Sequence, residues 1–134
     1  MNKKILILED NKDLAQMYAK LLKSNGYDPT VAFDGIEGLE KLQEMEPDLI
    51  IMDVSMPRMS GVGFYQQICG LDGKPKYPIL VATGRTDLET TFKNLPVDGL
   101  ILKPFERADL LKEIGLILNK KSASTKSPSC LIKI

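Results

Sequence analysis

Short apolar runs that alternate with helical patterns constrain the fold more than any other feature of the chain. Such runs occur five times, at residues 4–8, 27–31, 48–52, 78–82 and 99–102. Several are almost wholly aliphatic, which is typical of strands that are covered by helices on both faces of a parallel sheet. The pattern therefore predicts one α/β domain of five βα units.

The segments between these runs carry apolar residues at helical spacing. The clearest lies between the first two runs, where Asn11 is a candidate N-cap and Asn25-Gly26 a stop signal. The apolar residues that mark the predicted helices are Leu14, Met17, Tyr18, Leu21 and Leu22, then Ile36, Leu39 and Leu42, then Phe64, Tyr65 and Ile68, then Leu88, Phe92 and Leu95, and finally Leu110, Leu111, Ile114, Ile117 and Leu118. Packing against the sheet explains all of these stripes.

The length of the chain fits one domain and a short tail. A domain of this size buries enough surface for a real core, and the periodic pattern covers residues 1–119. The segment 120–134 is rich in Ser and Lys and cannot bury much surface, so it is predicted to be a flexible tail.

Composition excludes several classes of function. Eighteen basic residues balance eighteen acidic ones, so no net charge draws the chain to nucleic acid or to an anionic membrane, and we expect neither partner. No apolar stretch approaches the roughly 18 residues of a membrane span. Cys69 and Cys130 form no metal or disulfide pattern, which favours a reducing cytoplasm. The chain has no His, which excludes Ser-His-Asp and Cys-His catalysis.

Charged and polar residues follow four of the five predicted strands. Glu9 and Asp10 follow the first, Asp53 the third, Thr83 the fourth and Lys103 the fifth. Ligands of doubly wound sheets bind at the carboxyl ends of the strands, and for the strand order 2-1-3-4-5 the first and third strands are neighbours. Each residue alone has an ordinary explanation as a cap or strand end, but together they predict one site.

Three carboxylates at one edge repel each other. A like-charged pair about 4 Å apart costs about 4 kcal/mol at an effective dielectric constant of 20, so the cluster needs a cation. The available ligands are hard oxygens, which favours Mg²⁺ over Zn²⁺. With Mg²⁺ and Lys103 the formal charges of the three acids sum to zero, and a phosphoryl group would meet a metal, an ammonium and a hydroxyl.

At this point the chain resembles a known family, the receiver domain of two-component response regulators. The resemblance covers roughly residues 3–119 and depends on the segments LILEDN, DLIIMDVSMPRMSG, LVATG and LILKPF. It implies a flavodoxin-like, doubly wound (βα)5 fold with sheet order 2-1-3-4-5. It also implies that Asp53 accepts a phosphoryl group from the phosphohistidine of a sensor histidine kinase or a histidine phosphotransfer protein.

The resemblance further assigns roles to the residues around Asp53. Mg²⁺ would be held by Glu9, Asp10, Asp53 and the backbone carbonyl of Ser55, while Thr83 and Lys103 would bind the phosphoryl group. The loop residues Met56, Pro57 and Gly61 would set the shape of the loop after the third strand. A cis peptide before Pro104 would help to aim Lys103.

One position departs from the family pattern. Receivers usually carry Tyr or Phe where this chain has Leu100, and that ring moves inward when the hydroxyl of the threonine (Thr83 here) moves onto the phosphoryl group. Leucine has less bulk than these rings and no polar tip to take part in this coupling. The resemblance still implies that phosphorylation switches the interaction with a downstream partner, which the sequence does not identify.

Two alternatives remain at this point. One is a receiver-like interaction domain that works without phosphorylation, and Leu100 favours it. The other is a phosphatase of the haloacid-dehalogenase type, which also uses a nucleophilic Asp with Mg²⁺. Such enzymes carry a second Asp two residues after the first, and here that residue is Ser55. We therefore expect a phosphoacceptor, self-catalysed in phosphotransfer and autodephosphorylation, rather than an enzyme.

Overall fold

The fold is an alternation of five strands with helices. The computed structural model describes residues 2–53, 61–72, 75–83, 97–103 and 105–123. Along the chain the elements are β1 (Lys4–Leu8), α1 (Lys12–Ser24), β2 (Asp28–Ala32), α2 (Gly35–Leu42), β3 (Leu49–Asp53), α3 (Gly61–Ile68), β4 (Ile79–Thr83), β5 (Gly99–Leu102) and α4 (Arg107–Ala123). The predicted helix around Leu88, Phe92 and Leu95 lies outside the described residues.

The strands form one five-stranded sheet in the order β2-β1-β3-β4-β5. All four strand pairs are parallel. The predicted doubly wound α/β fold and its strand order are confirmed. The order places β1 beside β3 in the middle of the sheet, where the direction of winding reverses.

Three strands begin and end one residue later than predicted. β2, β3 and β4 start at Asp28, Leu49 and Ile79. As a result Asp53 and Thr83 are the last residues of their strands, not the first residues after them. The neighbouring strand explains the shift, because Asp53 still pairs with Ala82 and Thr83 with Leu102 in the parallel ladders.

α1 begins and ends at the predicted signals. The side chain of Asn11 caps the helix by accepting a hydrogen bond from the Leu14 N–H at 3.0 Å. At the other end Asn25 is the C-cap and Gly26 has a φ of 88°, a left-handed conformation that favours glycine. This helix therefore starts immediately after the acidic pair Glu9-Asp10.

Two hydrophobic clusters cover the two faces of the sheet. One lies under α1 and α4 and includes Tyr18, Leu22 and Leu110. The other lies under α2 and α3, around Phe64 and Met52. Side chains from β1 and β3 point alternately into the two clusters, which explains why these strands read as continuous apolar runs.

The last helix is longer than predicted. α4 continues to Ala123, four residues beyond Asn119, where the apolar pattern stops. No Pro or Gly occurs in this stretch to end the helix. Residues 124–134 lie outside the described part of the chain, and the division into a domain and a tail stays a prediction. Among the described helices, none is long and apolar enough to cross a membrane.

Candidate functional site

Three carboxylates meet at the carboxyl edge of the sheet, as the strand order predicts. Glu9, Asp10 and Asp53 each place one carboxylate oxygen within 4.8 Å of the others. Glu9 and Asp53 are buried, with 3% and 8% of their surface exposed, whereas Asp10 is exposed. Buried acids normally need a compensating charge, so this cluster is the clearest candidate site.

The pairing of the two central strands places the buried acids side by side. Leu8 of β1 is level with Met52 of β3, so the next residues, Glu9 and Asp53, are neighbours. The backbone fixes Glu9 further, because its N–H donates to the Ala32 carbonyl at 3.0 Å. The Asn11 N–H donates to Oε2 of Glu9 at 3.3 Å, which ties the acid to the start of α1.

Lys103 lies between the two buried acids. Its Nζ donates to Oε1 of Glu9 at 2.8 Å and to Oδ2 of Asp53 at 3.2 Å. Only 22% of the lysine side chain is exposed. These contacts are more enclosed than those of an exposed surface pair, so Lys103 is part of the site.

The pKa values of Glu9 and Lys103 respond to this arrangement. Burial raises the pKa of Glu9, and the negative charge of Asp53 adds to the effect, although the hydrogen bond from Lys103 opposes it. For Lys103, burial alone would lower the pKa. The hydrogen bond to Glu9 and the charges of both carboxylates outweigh burial and raise the pKa. The ammonium is therefore firmly protonated where the two acids meet.

The charges in the cluster do not cancel. Three ionised carboxylates and one ammonium leave two negative charges, which matches a divalent cation. The donors are oxygens only, and an ion that keeps several waters needs few protein ligands, so the set fits Mg²⁺ better than a softer metal. A cluster of three acids with one lysine can also bring a metal and an ammonium to the oxygens of a phosphoryl group.

The family is decided by comparison with known sequences. A sequence model of the response regulator receiver domain matches residues 5–115. The chain belongs to this family. Receiver domains are the signalling modules of two-component systems, and the predicted resemblance is confirmed. Because the match is to receivers, it gives no support to the phosphatase alternative.

Individual relatives agree with the receiver assignment. The chemotaxis protein CheY of Treponema pallidum is 31% identical over 118 residues, which are 86% of this chain and 82% of that protein. Hybrid signal transduction histidine kinase D of Dictyostelium discoideum is 36% identical over 121 residues, 89% of this chain but only 8% of the kinase. The crystal structure of CheY4 from Vibrio cholerae has 32% identity and a TM-score of 0.78, and the match covers 87% of this chain and 99% of that one.

Three of the other predicted site residues lie in described strands or helices of the receiver. Thr83 ends β4, next to Leu102 of β5, and so lies at the same edge of the sheet as the acids. Leu100 is half-buried and packs against the cluster under α2 and α3. Gly61 is the first residue of α3. Four of the predicted site residues, Ser55, Met56, Pro57 and Pro104, lie outside the described residues.

Two contacts of the receiver site were not predicted from the sequence. The first is the pairing of Lys103 with Glu9 and Asp53, since the lysine was expected to pair with a phosphoryl group. The second is a stack between Tyr18 and Phe105, with ring centroids 5.8 Å apart. The helical spacing of Tyr18 predicts only packing against the sheet. Only the position of Phe105, two residues after Lys103, could have indicated a link to the site.

Proposed function

We propose that this receiver accepts a phosphoryl group on Asp53, with Mg²⁺ as cofactor. The observation that carries the proposal is the meeting of Glu9, Asp10 and Asp53 at one sheet edge with Lys103 between two of them. Asp53 is the acceptor because it is the acid that ends the central strand β3 and also contacts the lysine.

The proposed magnesium ligands are the three acids and, from the family pattern, the backbone carbonyl of Ser55. Oxygen donors and two uncompensated negative charges support this choice of ion. When bound, Mg²⁺ would supply positive charge to the oxygens of an incoming phosphoryl group.

The transfer step needs few groups beyond the acceptor. A carboxylate oxygen of Asp53 forms a bond to phosphorus while the phosphorus–nitrogen bond of the phosphohistidine breaks. The imidazole of the donor leaves with the bonding electron pair. Lys103 lies close enough to Asp53 to neutralise negative charge on the phosphoryl oxygens, and Thr83 is proposed to donate a hydrogen bond to them.

The proposed phosphoryl donor is a sensor histidine kinase or a histidine phosphotransfer protein. The relative from Dictyostelium, a hybrid histidine kinase, shares its receiver-like segment with this chain, which supports such a partner. The side chains of Lys12, Asp13, Gln16 and Lys20 are exposed on α1, the helix that begins two residues after Asp10, and are proposed to contribute to the choice of donor.

A second candidate function is a receiver that acts on its downstream partner without phosphorylation. Leu100 favours it, because this apolar side chain has no polar tip to follow a movement of Thr83. In that case Asp53→Asn would leave the cellular role of the protein unchanged.

The test of the leading proposal is intact-mass spectrometry after incubation with acetyl phosphate. We expect the wild-type chain to gain one phosphoryl group only when Mg²⁺ is present, and Asp53→Asn to gain none. Asp28→Asn is the matched control, since Asp28 is exposed at the opposite end of the sheet, and it should be phosphorylated like the wild type.

The phosphoacceptor proposal also has a clear contradicting result. If the wild-type chain gained no phosphoryl group and formed no beryllofluoride complex at Asp53 in the presence of Mg²⁺, the phosphoacceptor proposal would be wrong.

A further inference from the structure

Lys103 follows β5 and reaches acids on two other strands. In the parallel ladders Ile101 of β5 pairs with Ala82, and Ala82 pairs with Asp53. Lys103 is therefore two residues further along the chain than the level of Asp53. Neighbouring strands are about 4.8 Å apart, which puts β5 about 14 Å from β1. The lysine stem covers only part of that distance, so Lys103 and Glu9 must both extend across the edge of the sheet to meet.

The position of the Lys103 ammonium therefore depends on an extended side chain and on the position of its Cα. The lysine nevertheless reaches Oε1 of Glu9 at 2.8 Å, on the strand three places away. Its position depends on whatever holds the loop that connects β5 to α4.

An aromatic stack holds this loop against α1. Phe105 lies two residues after Lys103, and its ring stacks on Tyr18 with a centroid separation of 5.8 Å and an angle of 18° between the ring planes. Tyr18 is 7% exposed and belongs to the hydrophobic cluster under α1 and α4. α1 is also the helix that starts directly after Glu9 and Asp10, so the stack joins the lysine side of the site to the acid side.

The stack lies beside a pocket that is partly open to solvent. The pocket has a volume of about 230 Å³ between α1 and the start of α4, and its walls include Lys103, Phe105 and Tyr18 together with Leu14 and Leu110. Lys103 and both stacked rings therefore share one surface. A side chain at such a surface has fewer neighbours to hold it than one in a close-packed core.

We propose that Tyr18 is a positioning residue whose ring, through Phe105, holds Lys103 between Glu9 and Asp53. The consequence for phosphoryl transfer depends on the proposed function, but the positioning of the lysine does not. In this role Tyr18 acts through Phe105, and its phenol also lies within electrostatic range of Lys103, Glu9 and Asp53.

The variants must separate positioning from core packing. Tyr18→Leu removes the ring, whereas Tyr18→Phe keeps the stacked surface and serves as the conservative variant. Tyr27→Leu is the matched control, because Tyr27 packs partly buried against the same cluster at the other end of α1. If Tyr18→Leu does not fold, Phe105→Leu removes the other ring of the stack and must give the result expected for Tyr18→Leu.

The first measurement does not involve phosphorylation. Lysines are reductively methylated at one fixed pH without Mg²⁺, and the rate at Lys103 is compared with that at the exposed Lys20 by peptide mass spectrometry. We expect Tyr18→Leu to raise this ratio about tenfold, within the range of coupling between contacting residues. Tyr18→Phe and Tyr27→Leu should stay within about twofold of the wild type. An unchanged ratio in Tyr18→Leu, or an equal rise in Tyr27→Leu, would overturn the proposal.

The second measurement tests whether Tyr18 acts through Lys103 during phosphorylation. Tyr18→Leu should slow phosphorylation by acetyl phosphate about tenfold in the wild-type background, but less than about twofold in a Lys103→Ala background. Equal slowing in both backgrounds would refute action through the lysine. A wild-type chain that is not phosphorylated at all would contradict the proposed function, and the methylation ratio would still decide the positioning claim.

Discussion

The interior of the two central strands and their carboxyl ends have opposite chemistry. Residues 5–8 of β1 and 49–52 of β3 are aliphatic or Met and are at most 2% exposed. The next residues, Glu9 and Asp53, are almost as buried but carry charge. Each buried aliphatic side chain contributes about 1.5–3 kcal/mol to stability, whereas burial of a carboxylate is unfavourable. The interior therefore stabilises the fold, whereas the buried acids at the edge lower its stability when no cation compensates them.

The largest expected effect comes from a substitution in the interior. Leu49 is fully buried at the start of β3, away from the acids. Leu49→Ala should lower the free energy of unfolding by about 3 kcal/mol, because it leaves a cavity in the core. Urea denaturation with and without Mg²⁺ measures this. Mg²⁺ should stabilise Leu49→Ala by as much as it stabilises the wild type. If Mg²⁺ no longer stabilised the variant, the strand interior and the carboxyl edge would not act independently.

A smaller effect is expected at the edge when the lysine is removed. Without Mg²⁺, Lys103→Met should destabilise the chain by about 2 kcal/mol, because two buried acids lose their cation. This is less than for a fully buried pair, since the lysine is 22% exposed. Saturating Mg²⁺ should recover much of the loss. Lys20→Met, at an exposed position of α1, is the control and should change little. Equal stability of Lys103→Met and the wild type without Mg²⁺ would show that the acids need no cation.

The smallest expected effect is a pH dependence from Glu9. Burial raises its pKa in the folded chain above the ordinary value of 4.5, so the folded chain binds this proton more tightly than the unfolded chain does. The stabilisation from protonated Glu9 is complete below about pH 4.5 and is lost as the pH rises through the raised pKa. Urea midpoints without Mg²⁺ should show this loss in the wild type and in the exposed control Glu44→Gln. Glu9→Gln should remove it, and a profile unchanged by Glu9→Gln would assign the pH dependence to another group.

The sequence was sufficient for most of the fold because the relevant signals are local. Aliphatic runs identified all five strands, and Asn11 and Gly26 marked the ends of α1. Strand limits were wrong by one residue at β2, β3 and β4, where pairing with a neighbouring strand extends the ladder. α4 also runs four residues beyond Asn119, because the residues at 120–123 include no Pro or Gly to end the helix.

The candidate site was predictable in part. Strand order alone brings Glu9, Asp10 and Asp53 together, and they lie together in the structure, although their roles as metal ligands stay predictions. The contacts of Lys103 and the stack of Tyr18 on Phe105 join segments far apart in the sequence. Such contacts depend on the path of a loop, for which no local pattern in this chain gives a signal.

The most direct test of the difference between interior and edge is the unfolding free energy of the wild type and Asp53→Asn, each with and without Mg²⁺. Because Asp53→Asn removes one of the crowded charges, it should be more stable than the wild type without Mg²⁺. The wild type should gain about 1.4–2.7 kcal/mol at Mg²⁺ concentrations of 10 to 100 times the Kd, whereas Asp53→Asn should gain much less. A variant that is less stable than the wild type without Mg²⁺, and equally stabilised by it, would contradict the claim that this edge holds its charges for a cation.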